Sequence, residues 1–315
     1  MQSVKQRCDI GEHALEQFRF MDQCHQEKLR TALVTIVGVI GRASRQVGAH
    51  MIVCENGSYA GSVSSGCIDG NVVAMALDVI RTGTAKRVQF GEGSPFVDVK
   101  LPCGGGVDLL ILPTPDKNVI SAFVNRLSAR KVVEIALDPS GIEIVEGGRC
   151  EGVFHFTYVP KIEIRVAGRG LELLQFSRAA SAAGFDIISY TPDIDDKAEC
   201  ESFGKSIHLS AVGDVDGLSG DEWTAIVLLF HEHEWEPPLL KQALKTDAFY
   251  IGALGSRVTH DARLEALRQN GVSEHLLKRL RGPIGLVPSM RNASMLAVST
   301  LAEIIEAFQQ SQAIK

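Results

Sequence analysis

Ile162-Glu163-Ile164-Arg165-Val166-Ala167-Gly168-Arg169-Gly170 is the stretch on which the reading of the fold turns. Its first six residues read as a strand and Gly168-Arg169-Gly170 as the turn that follows. Residues 171–183 then read as a helix ended by Gly184, and 187–190 as the next strand. Ala225-Ile226-Val227-Leu228-Leu229-Phe230 is almost wholly apolar, as expected of a strand covered on both sheet faces. Residues 237–245, 249–252, 257–269 and 293–309 continue as helix, strand, helix and helix. Strands alternating with helices mean βαβ units and a parallel sheet. The chain from 161 to 315 is therefore read as a Rossmann-like domain with a parallel sheet.

The sequence before it has another rhythm. Residues 10–30 look helical and polar, and 32–40 read as a buried strand. Residues 50–54 and 59–63 flank Glu55-Asn56-Gly57-Ser58, and Asn-Gly between such runs marks a hairpin. A helix is expected over 71–82, with Val72, Val73, Ala76, Leu77 and Ile80 on one face and Gly83 as its stop. Strands are expected at 87–90, 107–112 and 132–137, with a helix at 117–128. Residues 1–160 are thus read as a mixed α+β domain, and the whole as an α/β protein of two domains.

Composition narrows the function. The 315 residues are 45% hydrophobic and 22% charged, with a net charge of −6. There is no basic excess for nucleic acid or an anionic membrane, and no apolar run reaches the roughly 18 residues of a membrane span. Met1-Gln2-Ser3-Val4-Lys5-Gln6-Arg7 leads into polar sequence, so no secretory signal is expected. Seven cysteines without a CxxC pair suit a reduced, cytoplasmic protein.

Two loops carry chemistry. Gly61-Ser62-Val63-Ser64-Ser65-Gly66-Cys67-Ile68-Asp69-Gly70 and Leu101-Pro102-Cys103-Gly104-Gly105-Gly106-Val107-Asp108 each set one cysteine among glycines beside an acidic residue. Glycines let backbone approach a ligand closely, and a thiol there is reachable and open to tuning by backbone amides. In the second half, Gly168 and Gly170 lie where a dinucleotide pyrophosphate would sit, but Leu173 takes the third small position and Asp193 comes late for a ribose contact. Gly252-Ala253-Leu254-Gly255-Ser256-Arg257 is a second glycine-rich turn. Its amides, Ser256 and Arg257 could hold a phosphate, or Ser256 could simply cap the helix. His231 and His233, with His260 as a third, could meet a metal; a polar strand end explains them as well.

At these loops the chain resembles the XdhC/CoxI family. That family carries a GSxSGGCxEG-like segment, here Gly61 to Gly70 with Ser65 for glycine and Asp69 for glutamate, and a CGG segment, here Cys103-Gly104-Gly105. Its Pro-Arg-xx-Gly stretch is Ser44-Arg45-Gln46-Val47-Gly48, its GxxGSR segment ends at Arg257, and its PIGL segment is Pro283-Ile284-Gly285-Leu286. Its closing AxSxxAEI segment runs from Ala297 to Ile304, and its GAGH-type turn is Gly168-Arg169-Gly170-Leu171.

The resemblance implies a chaperone rather than a catalyst: an accessory protein that binds the molybdenum cofactor (molybdopterin), assists its sulfuration and inserts it into a xanthine dehydrogenase-type hydroxylase. Its partners would be the apo hydroxylase and a cysteine desulfurase, with a homodimer as a further expectation. The expected cofactor contacts are Arg45, Ser62, Ser64, Cys67, Cys103, Gly104, Gly168, Gly170, Gly252, Gly255, Ser256 and Arg257. The alternative is an NAD(P)-dependent oxidoreductase, which would need an intact dinucleotide fingerprint and a positioned acid or base.

Overall fold

One ten-residue strand, Thr31–Ile40, serves two cores at once. Ala32, Val34 and Ile36 fall in one apolar cluster and Leu33 and Val37 in another, as the two-residue period of a strand requires. The computed structural model describes residues 6–7, 13–64, 66–92, 104–147, 152–214, 217–231, 234–288 and 290–313. The chain divides into two compact units, Met1–Pro160 and Lys161–Lys315.

The first unit runs β1 (Gln6–Arg7), α1 (Ala14–Gln26), β2 (Thr31–Ile40), β3 (His50–Cys54), β4 (Ser58–Gly61), α2 (Asp69–Thr82), β5 (Lys86–Gly91), β6 (Gly106–Pro113), α3 (Lys117–Ser128), β7 (Val133–Asp138), β8 (Gly141–Val145) and β9 (Phe154–Tyr158). Its larger sheet has the order β1-β4-β3-β2-β6-β5 and its smaller one β8-β7-β9. Val72, Val73, Ala76 and Ile80 of α2 pack on one face of the larger sheet. Phe18 and Met21 of α1, Ile120 and Phe123 of α3, and Val133 and Ile135 of β7 build the core on the other. The helix expected to be polar, α1, in fact buries a stripe of Leu15, Gln17, Phe18, Met21 and Cys24, at helical spacing.

The topology decides what meets at one end of this sheet. β2 pairs antiparallel with both β3 and β6, and β3 antiparallel with β4. β4 therefore runs in the direction of β2. The loop after Gly61 leaves from the end of the sheet where β6 begins, with Gly106 paired to Ile40.

The second unit runs β10 (Glu163–Gly168), α4 (Gly170–Ala182), β11 (Asp186–Thr191), α5 (Ile194–Cys200), β12 (Lys205–His208), β13 (Thr224–Leu229), α6 (Glu236–Ala243), β14 (Tyr250–Ala253), α7 (Arg257–Gln269), α8 (Glu274–Leu277), β15 (Leu280–Arg281) and α9 (Ala293–Ala313). The sheet order is β12-β11-β10-β13-β14-β15, parallel throughout. This is the doubly wound order, whose ligands gather beyond the carboxyl ends of the strands. β13 is buried along its whole length, with apolar clusters containing α6 and α7 residues on one side and α4 and α9 residues on the other.

Candidate functional site

The loop after β4 is closed by a carboxylate clamp. Ser62 Oγ donates to Asp69 Oδ2 at 2.6 Å, and Ser64 Oγ donates to Asp69 Oδ1 at 2.7 Å. Ser64 Oγ also accepts the amide of Ile68 at 2.9 Å. All three side chains belong to buried residues, where such charge-assisted bonds are strong. Asp69 is the first residue of α2, so its charge also faces the positive end of that helix. Gly61 has φ +84°, and a Cβ there would stand 2.4 Å from the carbonyl oxygen of His50. Between the clamp's two ends the loop leaves Cys67 exposed with a free thiol.

Ser62 also lines a cavity of about 510 Å³, together with Arg45, His13, Gln17, His50 and Tyr158. His50 is buried with its Nδ1 2.9 Å from the Thr35 hydroxyl and its Nε2 hydrogen-bonded with the Tyr158 hydroxyl. Tyr158 donates to the carbonyl of Gly48 at 3.1 Å. Burial pushes His50 down to about 3 and the Tyr158 phenol upward, so both are neutral at physiological pH. Arg45 is the one charged residue in the cavity's described lining. The volume suits a small-molecule ligand. The floor offers neutral hydrogen-bonding groups, and Arg45 offers a cation for an acidic substituent.

In the second unit the two glycine-rich turns have different neighbours. Gly168 is packed so closely that a Cβ would lie 2.8 Å from Leu229 Cβ. Gly170 has φ +71° with open space where a Cβ would be, and its amide donates to Asp196 Oδ2 at 2.6 Å. A carboxylate of the chain itself stands where a dinucleotide's pyrophosphate would take that amide. Leu173, on the inner face of α4, is fully buried. Asp193 caps α5, accepting the amides of Asp195 and Asp196 at 2.8 and 3.1 Å, so its carboxylate is already engaged at the place of a ribose contact.

Beyond β14 lies a cavity of about 860 Å³ lined by His231, Gly255, Ser256, Arg257, Arg263 and Arg291 among others. Ser256 Oγ accepts the Thr259 amide at 3.1 Å, the helix-cap role. Arg263 makes a bidentate pair with Glu236, at 3.0 and 2.8 Å, with side chains 5% and 4% exposed. Gly252, within β14, has a packing reason: a Cβ would lie 2.6 Å from the Tyr250 hydroxyl and 2.7 Å from Ile284.

The structure thus brings Arg45 and Ser62 into one cavity, with Ser64 in the adjoining clamp and Cys67 on the same loop. Gly104 lies at the same end of the sheet, two residues before β6. Cys103 and His233 lie outside the described residues. His231 is 67% exposed and 3.5 Å from Glu172, while His260 lies against Gly282, whose Cβ would fall 2.3 Å from its Nδ1. No group of three or more His, Cys, Asp or Glu side chains among the described residues could hold a metal ion, and no described helix is long and apolar enough to cross a membrane. Sequence reasoning missed Gln17, His50 and Tyr158 in the first cavity and Glu236, Arg263 and Arg291 in the second. They come from separate stretches of the chain, and no local pattern joins them.

Residues 164–304 match the XdhC Rossmann domain, and residues 24–91 match the XdhC and CoxI family. A molybdenum cofactor insertion chaperone, PaoD of Escherichia coli (strain K12), is 36% identical over 279 residues, spanning 86% of this chain and 81% of that protein. A solved structure described as a xanthine dehydrogenase from Bacillus halodurans superposes with a TM-score of 0.76, covering 93% of this chain and 96% of its own, at 19% identity. That likeness concerns the fold alone.

Proposed function

We propose, on the premise that the chain belongs to the XdhC and CoxI family, that it is a carrier of the molybdenum cofactor. It binds the cofactor, assists its sulfuration by a cysteine desulfurase, and hands it to a xanthine dehydrogenase-type apo hydroxylase. The observation that carries this reading is the likeness to a molybdenum cofactor insertion chaperone over most of both chains. The first cavity fits the group. A pterin carries an acidic phosphate, which suits Arg45, and its ring-edge donors suit the remaining lone pair of the Tyr158 hydroxyl, which His50, bonded at both ring nitrogens, holds in place. When bound, the cofactor supplies a dithiolene-held metal centre that the client enzyme will use. This chain's part is to bind and to shield. Arg45 and Ser62 position the ligand, the Asp69 clamp fixes the loop, and Cys67 presents an exposed thiol for contact with the cofactor's sulfur. The role is that of a chaperone, not a catalyst.

The test is pterin retention. The full chain is purified from cells with and without molybdenum cofactor biosynthesis, oxidised, and read by pterin fluorescence. Fluorescence is expected only from the competent cells, and Arg45→Ala and Cys67→Ala should each lower it several-fold with little change in melting temperature. Equal fluorescence from both sources overturns the reading.

A further inference from the structure

We propose that the second unit holds a phosphate or diphosphate group in the cavity at the start of α7, two strands along the sheet from the Gly168 turn where this fold ordinarily places one. It rests on the carrier reading only for the identity of the ligand that bears the group. Three observations combine. First, the ordinary place is taken: the Gly170 amide is donated to the Asp196 carboxylate, which satisfies the donor and repels an anion. Second, the chain has a net charge of −6, yet the described charged side chains lining the α7 cavity are three arginines, Arg257, Arg263 and Arg291, against one glutamate. Third, Arg263 is a buried cation with unused capacity. Its Nε and Nη2 bond Glu236, and Nη2 also reaches the carbonyl of Leu254. Nη1 has no partner among the described residues.

A buried guanidinium nitrogen without an acceptor is costly and calls for an explanation. A phosphate oxygen answers it, since planar guanidinium donors match oxyanions. The ion pair with Glu236 holds the guanidinium in the cavity wall before any ligand arrives. The first-turn amides of the thirteen-residue α7 other than that of Thr259, which Ser256 takes, precede its own hydrogen-bond ladder and add further donors. Arg257 and Arg291 are exposed at the same cavity, free to close on a ligand from the solvent side.

The experiment is calorimetric titration of the full chain, prepared from cells lacking molybdenum cofactor biosynthesis, with inorganic pyrophosphate at low salt. Saturable binding is expected, weakened about 10-fold by Arg257→Ala and by Arg291→Ala, the scale of one lost charge-assisted bond. Arg263→Lys, checked by its melting curve, should weaken it similarly by withdrawing Nη1. Asp196→Ala should leave it within twofold. Absence of saturable binding overturns the proposal, as does a loss under threefold at both Arg257 and Arg291. Tighter binding in Asp196→Ala overturns it too, because that result would put the anion at the Gly168 turn. The carrier reading stands or falls separately, on pterin retention, which this titration does not use.

Discussion

The cavities of the two units differ in how their polar groups are held, and so in what they can hold. In the first, about 510 Å³, a buried histidine and tyrosine are kept neutral and one arginine supplies the charge. In the second, about 860 Å³, three arginines line the wall and one of them, Arg263, is paired with a buried carboxylate. A neutral hydrogen-bonding floor discriminates by the pattern of donors and acceptors, as a heterocyclic edge demands. A cationic wall discriminates by charge and suits an oxyanion. Glycine-rich loops border both cavities, so glycine marks where backbone must turn or pack tightly, while the surrounding charges set the ligand class.

The sharpest way to break the contrast is to remove the carboxylate that anchors the second cavity. Glu236→Ala leaves Arg263 buried and unpaired, and losing one partner of a buried ion pair costs about 3–5 kcal/mol. Both tryptophans, Trp223 and Trp235, lie in the second unit, so denaturant unfolding followed by tryptophan fluorescence reads the loss where it occurs. A loss below about 1 kcal/mol would mean that Arg263 had found water or another acceptor, and the wall would not be preorganised.

In the first unit the counterpart is Asp69. Asp69→Ala leaves the Ser62 and Ser64 hydroxyls buried without their acceptor, a cost of about 2–4 kcal/mol for two stranded donors. Hydrogen exchange should speed up in β4 and the first turn of α2, and pterin retention should fall with it. Unchanged exchange there would show that the clamp does not hold the loop.

How much of this was legible beforehand follows from which forces are local. The parallel sheet was readable because β10, β13 and the helix α4 carry apolar runs of the right length and period. The edge strand β12, half-exposed Lys-Ser-Ile-His, has no such pattern. α5 is a short acidic helix whose start is set by the Asp193 cap rather than by apolar spacing. β8 and β9 escaped as well, since a five-residue strand in a small sheet offers few alternations to count. Of the site, Arg45 and Ser62 could be named from their loops. His50 and Tyr158 are 108 residues apart, and Glu236 and Arg263 are 27 apart, and only tertiary packing joins them.

The neutral floor of the first cavity has its own test in acid. His50 is depressed from 6.5 to about 3 by burial. Below pH 6.5 the unfolded chain takes up a proton that the folded chain refuses. Stability is therefore fully present above 6.5 and is lost as pH falls from there toward 3, by at most about 1.4 kcal/mol per pH unit for this one group. Exchange rates of β2 and β3 amides, compared at pH 7.5, 6.5 and 5.5 after correction for intrinsic exchange, should show the loss. His50→Gln should flatten it. An equal acid slope in that variant would assign the effect to other groups and leave the neutrality of the floor untested by pH, so the titration of His50 itself, followed by its ring proton resonances, must stay flat down to pH 5.

The smallest effect expected separates the two turns of the second unit. Asp196→Ala removes the acceptor of the Gly170 amide, and a charge-assisted bond of this kind is worth about 1.5–3 kcal/mol. The observed cost should nevertheless be about 1 kcal/mol, close to that of a lost helix cap. The reason is partial exposure: Gly170 and Asp196 are only part-buried, so water can take the place of the carboxylate and satisfy the freed donor. Tryptophan fluorescence should show the same unfolding cooperativity as the parent chain with a slightly lower midpoint. A loss above about 2 kcal/mol would mean that water does not reach the turn, that the amide is stranded, and that Asp196 is a structural strut of α4 rather than an occupant of an open anion position.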